Sequence, residues 1–432
     1  MRRSAFFRAQ DRRRSGRSCP GPDPTPTNRM KTNRRIVQFG FLALTLIGVF
    51  VVKGNAERWC PFGGVEAAYT YIQEGDMVCS LGVSNFYVLG AVLLMALLLR
   101  RAFCGYMCPI GAISEWLQSG ARRVGIKRLN VPHRLDRVLS KLKYVVLLII
   151  LYFTWKHGEL EFRVADPCYA LISRHGEDIT FWAYVVAGAI VVGSLFVIMP
   201  FCRWLCPMAA VFNLFSRVGL TRVRRDGQTC IDCGLCAKAC PMAIPVDKVG
   251  QVTAARCLSC LNCVEVCPER KSGALTWGPP RSLGKPWPQT ALISIMLVLV
   301  AGAVAVAYAF PLPSYIHVAD DRGPAPAETA TVDLGIHNLG CRGNASLFTY
   351  FLERDDAYEV PGYLKVEAWP GPGIAAARII YDPAQTDVEA IKEAITEPYY
   401  DYTNNVWRPS SFEVEGYDPL GLFDEQETDE DG

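Results

Sequence analysis

The chain is poor in histidine, with five in 432 residues at positions 133, 157, 175, 317 and 337. None lies inside a long apolar run, and no C-x-x-C-H occurs. This argues against a transmembrane haem held by two histidines and against a covalently attached c-type haem. Charge is scarce as well, at 20% of residues against about a quarter in ordinary soluble proteins. Half of the chain is apolar, so a disordered chain is excluded and an all-soluble one is strained. Acidic residues are short where basic ones abound. Residues 1–311 hold 38 Lys and Arg against 18 Asp and Glu, whereas residues 312–432 hold 7 against 24. A net charge of only +3 therefore hides two regions suited to different surroundings.

Long apolar runs are plentiful. Five qualify as membrane helices, at 36–52, 83–99, 144–155, 179–201 and 291–310. The third is short, but Lys141, Lys143 and Lys156 at its flanks suit snorkelling to the two interfaces. Segments 1–35, 100–143 and 201–288 carry 11, 10 and 12 basic residues, against two in 53–84 and three in 156–179. By the positive-inside rule the rich segments are cytoplasmic, and an odd number of spans puts the acidic C-terminal part outside. The expected class is a multi-pass α-helical membrane protein of the bacterial or archaeal cytoplasmic membrane. Residues 1–35 read as a basic, disordered segment with Met30 as the true start. A cleaved signal peptide ending before Glu57 is the rival reading.

The 17 cysteines carry the chemistry. Residues 230–241 and 257–268 each read C-x2-C-x2-C-x3-C-P, the bacterial two-cluster ferredoxin run. Three closely spaced thiolates fit three corners of a cubane, and the fourth cysteine serves the other cluster. Cys230, Cys233, Cys236 and Cys267 are thus expected to hold one [4Fe–4S] cluster, and Cys257, Cys260, Cys263 and Cys240 the second. Gly234 lets the backbone approach the metal, and the proline after each run turns the chain away. Structural zinc sites usually pair C-x2-C units over longer gaps. The expected ferredoxin module spans 226–275.

Two further motifs, C-x3-C-P at Cys104–Cys108 and at Cys202–Cys206, each follow an apolar run and precede an apolar helix start. This internal repeat lies in a four-helix membrane region at 36–225, followed by a fifth span at 289–311. It gathers four thiols, the ligand set of a third cluster or a redox quartet beside a quinone. Inert helix-packing cysteines are the plain alternative. Cys60, Cys79 and Cys168 fall on the expected outer side, where a disulfide, a metal or redox site and inert thiols all stay open. Cys19 sits in the leader and carries no site.

After a Pro- and Ala-rich linker at 312–330, residues 331–400 alternate strand, helix, strand, strand, helix and a final strand. That order predicts an outer α+β ferredoxin-like (βαββαβ) domain. An acidic tail at 401–432 closes the chain. Cys341 stands near a helix N-terminus, where a thiolate is favoured.

The segments "CPFGGVEAAY", "RRAFCGYMCPIGAISEWL" and "FCRWLCPMAA", followed by the two ferredoxin runs, resemble the membrane polyferredoxin family of NapH, NosR and FixG. The resemblance covers residues 36 to about 310. It implies electron transfer between the quinol pool and a soluble or periplasmic redox partner, or redox maturation of a respiratory metalloenzyme. A NosR-like outer flavin domain has no room before the first span, and an immunoglobulin-like C-terminal domain as in FixG-like proteins is not indicated. The C-terminal "GC" and "IIYDPAQTDVEAIKEAI" resemble heavy-metal-associated domains, but Asn344 stands where that family has its second cysteine. Three functions follow: a quinol-dehydrogenase-type electron-transfer subunit, a maturation or copper reductase acting at Cys60, Cys79, Cys168 and Cys341, and a redox-sensing regulator. No feature suggests nucleic acid; membrane lipid is an implied partner.

Overall fold

The computed structural model describes residues 29–51, 61–74, 84–129, 131–157, 166–167, 170, 181–319, 328–354, 358–371, 373–401 and 406–417. Cys19, Cys60, Cys79 and Cys168 lie outside the described residues, as do residues 1–28 and 418–432. Residues 29–35, read as part of a disordered segment, are instead helical because they continue directly into the apolar run that follows. The chain divides into two compact units, residues 1–62 with 87–306 and residues 63–86 with 307–432.

In the first unit, α1 (Arg29–Leu46) continues into a π-helical turn at Ile47–Val51. Helix α2 (Pro61–Glu74), nearly all of which belongs to the second unit, precedes α3 (Ser84–Leu99), the short α4 (Ala102–Tyr106) and α5 (Pro109–Arg123). Then come α6 (His133–His157), α7 (Phe181–Phe196) and α8 (Pro207–Ser216). Among the described residues, three helical stretches are long and apolar enough to cross a membrane: Arg29–Val51, Arg134–Lys156 and Gln289–Ala309. Their outward faces are greasy, with Ile36, Leu44, Leu148 and Val298 exposed, as lipid contact requires.

The expected spans need two adjustments. The third run is not a 12-residue helix, because Lys141 and Lys143 lie inside α6 rather than at its edge, and α6 has 25 residues. Buried Lys143 reaches the Arg203 carbonyl at 3.4 Å. The fourth run does not stay helical to residue 201. Helix α7 ends at Phe196, Met199 takes a left-handed φ of 51° and Pro200 follows, since the residue before proline avoids the helical region. Arg100, with φ of 60°, ends α3 in the same way. At 16 residues each, α3 and α7 span about 24 Å, short of a hydrocarbon core of about 30 Å.

After α8 the chain returns to α3, where Leu220 and Thr221 N–H groups donate to the Leu97 and Leu98 carbonyls. There it enters a small module of β1 (Arg222–Arg225), α9 (Leu235–Ala239), α10 (Asn262–Glu265) and β2 (Leu275–Gly278). Strands β1 and β2 pair antiparallel, Val223 opposite Trp277. Helix α11 (Gln289–Ala309) follows.

In the second unit, β3 (Tyr315–Val318) and β4 (Ala330–His337) lead to α12 (Arg342–Leu352), β5 (Tyr363–Trp369), β6 (Ile374–Tyr381) and α13 (Val388–Thr396). A hairpin of β7 (Tyr399–Asp401) and β8 (Val406–Arg408) precedes β9 (Glu413–Val414). The antiparallel five-stranded sheet runs β3-β5-β6-β4-β9. Residues alternate buried and exposed along β6, so one sheet face carries the core with Phe348, Phe351 and Ile391 of the two helices. Two expectations change here. The segment read as a linker donates β3 to the sheet edge, because Tyr315 finds a buried place and a Thr349 partner at 3.0 Å. Part of the segment read as an acidic tail is also structured, for Phe412 and Val414 are core residues.

Candidate metal centres

The two ferredoxin runs fold around two separate cavities. Cys230, Cys233, Cys236 and Cys267 line one of them. Cys240, Cys257, Cys260 and Cys263 line the other. Each run thus sends its first three cysteines to one cavity and its fourth to the other. Local backbone explains the wrapping. Gly234 caps α9 with φ of 71°, and Asp232, Ser259 and Leu261 also take positive φ. These left-handed residues fold each C-x2-C-x2-C stretch tightly enough to turn its sulfurs inward.

The cavities differ in setting. The first has Arg225, Asp232, Asp247 and Glu269 in its wall, and three of its cysteines, Cys230, Cys233 and Cys267, are partly exposed. Arg225 Nε lies 3.2 Å from Cys230 Sγ and is itself paired with Asp232. The second is buried and apolar, walled by Val223, Met242, Ile244 and Leu258. There the Ile244 N–H donates to Cys240 Sγ at 3.5 Å. Burial pushes the Cys240 thiol up to about 12. Burial and the Asp247 carboxylate push Cys236 up to about 11. Cys257, Cys260 and Cys263 are raised by burial as well. Four soft sulfurs around each void, costly to ionise unless a cation replaces the proton, suit an iron–sulfur group. Among the described residues, no three His, Cys, Asp or Glu side chains gather closely enough for a single metal ion.

The C-x3-C-P repeat forms a third gathering of sulfur. Cys108 and Cys206 are N-caps of α5 and α8, with φ/ψ of −62°/120° and −58°/116°, and a proline follows each at the first helical position. Their N–H groups donate to Phe103 and Phe201 carbonyls at 3.0 and 2.9 Å, so the sequence repeat is a repeat of geometry. Cys104 lies in α4 and Cys202 in the π-helical turn Phe201–Leu205. The Cys202 thiol donates to Cys108, which holds Cys108 down and drives Cys202 up. Burial pushes Cys206 up to about 12, with Cys104 and Cys108 adding to it.

Charged side chains that sequence reasoning treated only as topology markers turn out to organise these sites. Arg100 donates from Nε to the Thr221 carbonyl at 2.8 Å and from Nη1 to Thr253 and Ala254. Arg101 is fully buried beside the quartet. Asp136 accepts from Arg203, Trp204 and Arg256. The "RR" directly before the first C-x3-C-P was the available signal. Cys341 caps α12, exposed, with Sγ 3.7 Å from Asn344 Oδ1. It is the one described cysteine of its unit.

A model described as a 4Fe-4S binding domain matches residues 81–127 and 179–226, the two halves carrying the C-x3-C-P motifs. One described as a 4Fe-4S dicluster domain matches residues 222–268. These matches, with the relatives that follow, support a membrane polyferredoxin. YccM of Escherichia coli K12 is 31% identical over 51% of this chain and 63% of its own length. Ferredoxin-type protein NapH of Haemophilus influenzae is 26% identical over 56% of this chain and 88% of its own. Regulatory protein NosR of Pseudomonas aeruginosa is 32% identical over 38% of this chain and 23% of its own. The chain therefore spans under two thirds of YccM and about a quarter of NosR. No solved structure matches. Within this polyferredoxin the dicluster match ends at residue 268, one residue after Cys267, so it contains all eight ferredoxin-run cysteines.

Proposed function

We propose that this polyferredoxin is a membrane-bound electron carrier between the quinol pool and a partner redox enzyme. Cys230, Cys233, Cys236 and Cys267 hold one [4Fe–4S] cluster and Cys240, Cys257, Cys260 and Cys263 the second. The observation that carries the reading is the exchange of fourth cysteines between two cavities. When bound, such groups supply one-electron transfer at potentials set by charge, hydrogen bonds and exposure.

The chain's own residues supply those settings. Arg225, held by Asp232, points a hydrogen-bond donor at Cys230 Sγ, and Asp247 and Glu269 add negative charge to the same wall. Val223, Met242, Ile244 and Leu258 keep water from the buried site. The site with partly exposed Cys230, Cys233 and Cys267 serves a soluble partner, and the other packs on α3, where Ser259 Oγ donates to the Leu99 carbonyl at 2.9 Å. The basic segments suit a cytoplasmic N-terminus and ferredoxin module, and the acidic second unit suits the outside. Five crossings would satisfy this if the short α3 and α7 meet a locally thinned bilayer. The second unit is ferredoxin-like, an assignment supported by the strand sequence β9-β4-β6-β5 within its sheet, and serves as a docking domain.

Addition of a water-soluble quinol analogue to the anaerobically purified, oxidised protein tests the carrier role. Reduced-cluster signals in electron paramagnetic resonance are expected. Clusters that reduce with dithionite but stay oxidised with quinol would remove the quinol pool as donor.

A further inference from the structure

Arg101 is fully buried, and among the described residues no carboxylate pairs with it. One nitrogen, Nη2, donates to the Cys202 carbonyl at 3.0 Å and lies 3.9 Å from Cys104 Sγ. The other two, Nε and Nη1, have no hydrogen-bond partner. Two other buried arginines meet carboxylates, Arg203 at Asp136 (2.5 Å) and Arg34 at Glu115. Adjacent Arg100 gives three hydrogen bonds to the Thr221, Thr253 and Ala254 carbonyls, where Arg101 gives one to a carbonyl from its side chain. Guanidinium keeps its proton under all ordinary conditions, and a buried charge demands an opposite one. The groups at hand are the sulfurs of Cys104, Cys108, Cys202 and Cys206. As neutral thiols they leave the cation uncompensated. As thiolates around a metal–sulfide core they carry net negative charge. A single zinc ion would need ligands converging on one point, and no three do so among the described residues.

The segment that carries Cys104 also touches the second ferredoxin run. The Arg101 N–H donates to the Cys257 carbonyl at 3.3 Å. Gly105, between Cys104 and Tyr106, packs so closely that an added Cβ would stand 3.1 Å from the Leu258 oxygen and 3.8 Å from Cys260 Cβ.

We propose that Cys104, Cys108, Cys202 and Cys206 hold a third iron–sulfur group, that Arg101 is its fixed counter-charge, and that the Arg101–Gly105 segment is its contact with the second ferredoxin site. Arg101 acts as a positioning residue. It orients the Cys202 backbone and sets the potential of the quartet through its charge. Exchange of one electron across this contact leaves one group oxidised and the other reduced, and moves no proton, because Arg101 stays protonated throughout. Only the wiring rests on the ferredoxin assignment above. The third site itself does not.

Iron and sulfide analysis of the anaerobically purified full chain decides the first part. About twelve iron atoms per chain are expected, four for each cubane. About eight, with both ferredoxin signals intact, would overturn the third site and leave the ferredoxin reading standing. About eight iron with one zinc would overturn it equally, and no iron would overturn both. In Cys202→Ser with Cys206→Ser, about four iron atoms should be lost while the ferredoxin signals persist. Redox titration followed by electron paramagnetic resonance tests Arg101. Arg101→Lys keeps the charge and should keep the midpoint. Arg101→Gln should shift the third midpoint to more negative potential or lose that group alone. Full iron with one common midpoint in wild type and both variants would overturn the role of Arg101.

Discussion

Asp136 accepts a hydrogen bond from Arg256 Nη1 at 2.8 Å. Asp136 belongs to the first turn of the long apolar helix α6, and Arg256 directly precedes Cys257 of the second ferredoxin run. The same carboxylate receives Arg203 Nε at 2.5 Å and Trp204 Nε1 at 2.9 Å, both from between Cys202 and Cys206. One buried acid thus fastens α6 to the quartet turn and to the ferredoxin module. Asp136→Ala leaves two arginines without their anion and should destabilise the first unit by about 3–5 kcal/mol. Thermal unfolding in detergent measures it, and an unchanged midpoint would remove the clamp. Asp136→Asn, which keeps the shape, should cost less.

Gly111→Ala should be worse tolerated than an ordinary helix Gly→Ala change, which favours the helix by up to about 1 kcal/mol. An added Cβ would stand 2.5 Å from the Cys104 carbonyl oxygen and 3.0 Å from Met199 Cε. Backbone on one side cannot yield cheaply, so overpacking of about 1–3 kcal/mol is expected. Because the strain falls on Cys104, quartet iron should drop before ferredoxin iron does. Iron analysis of the variant reads this directly.

The raised thiols at Cys236 and Cys240, at about 11 and about 12, make two pH effects of opposite sign. In the metal-free fold they stay protonated where the unfolded chain, with thiols near 9.0, ionises. That contribution to stability is complete below pH 9.0 and is lost as pH rises through about 11–12. Loading with iron and sulfide runs the other way, since every ligating thiol gives up its proton. Reconstitution in weak buffer should release protons and go further at mildly alkaline than at neutral pH. A pH-independent yield without proton release would contradict thiolate ligation at these residues.

In the second unit, Arg354 ties the end of α12 to the end of α13. Its Nη1 donates to the Ala394 carbonyl at 3.1 Å and its Nη2 to the Pro398 carbonyl at 2.7 Å, with the guanidinium 4.9 Å from the Tyr358 ring. Arg354→Met keeps bulk but removes charged hydrogen bonds, at about 1.5–3 kcal/mol. Limited proteolysis of the full chain should cut the second unit sooner while sparing the ferredoxin module. Equal cutting rates would show that packing alone holds α13.

By itself, the sequence determined the local chemistry. Two runs of C-x2-C-x2-C-x3-C-P are legible because ligand spacing along a chain limits which sulfurs can face one metal group. Apolar runs reveal membrane helices for a similarly local reason, since a length of chain must match a thickness of lipid. Only the tertiary structure decided what long-range polar partners do. Arg101, Asp136 and Arg256 are ordinary basic and acidic residues in sequence, and their roles depend on partners 67 to 120 positions away. The same holds for Lys143, which charge patterning put at a helix edge and the fold buries within α6. In the second unit, β3 and β9 are four and two residues long. Segments that short carry almost no periodic signal, and the sheet edges they complete are what make them strands.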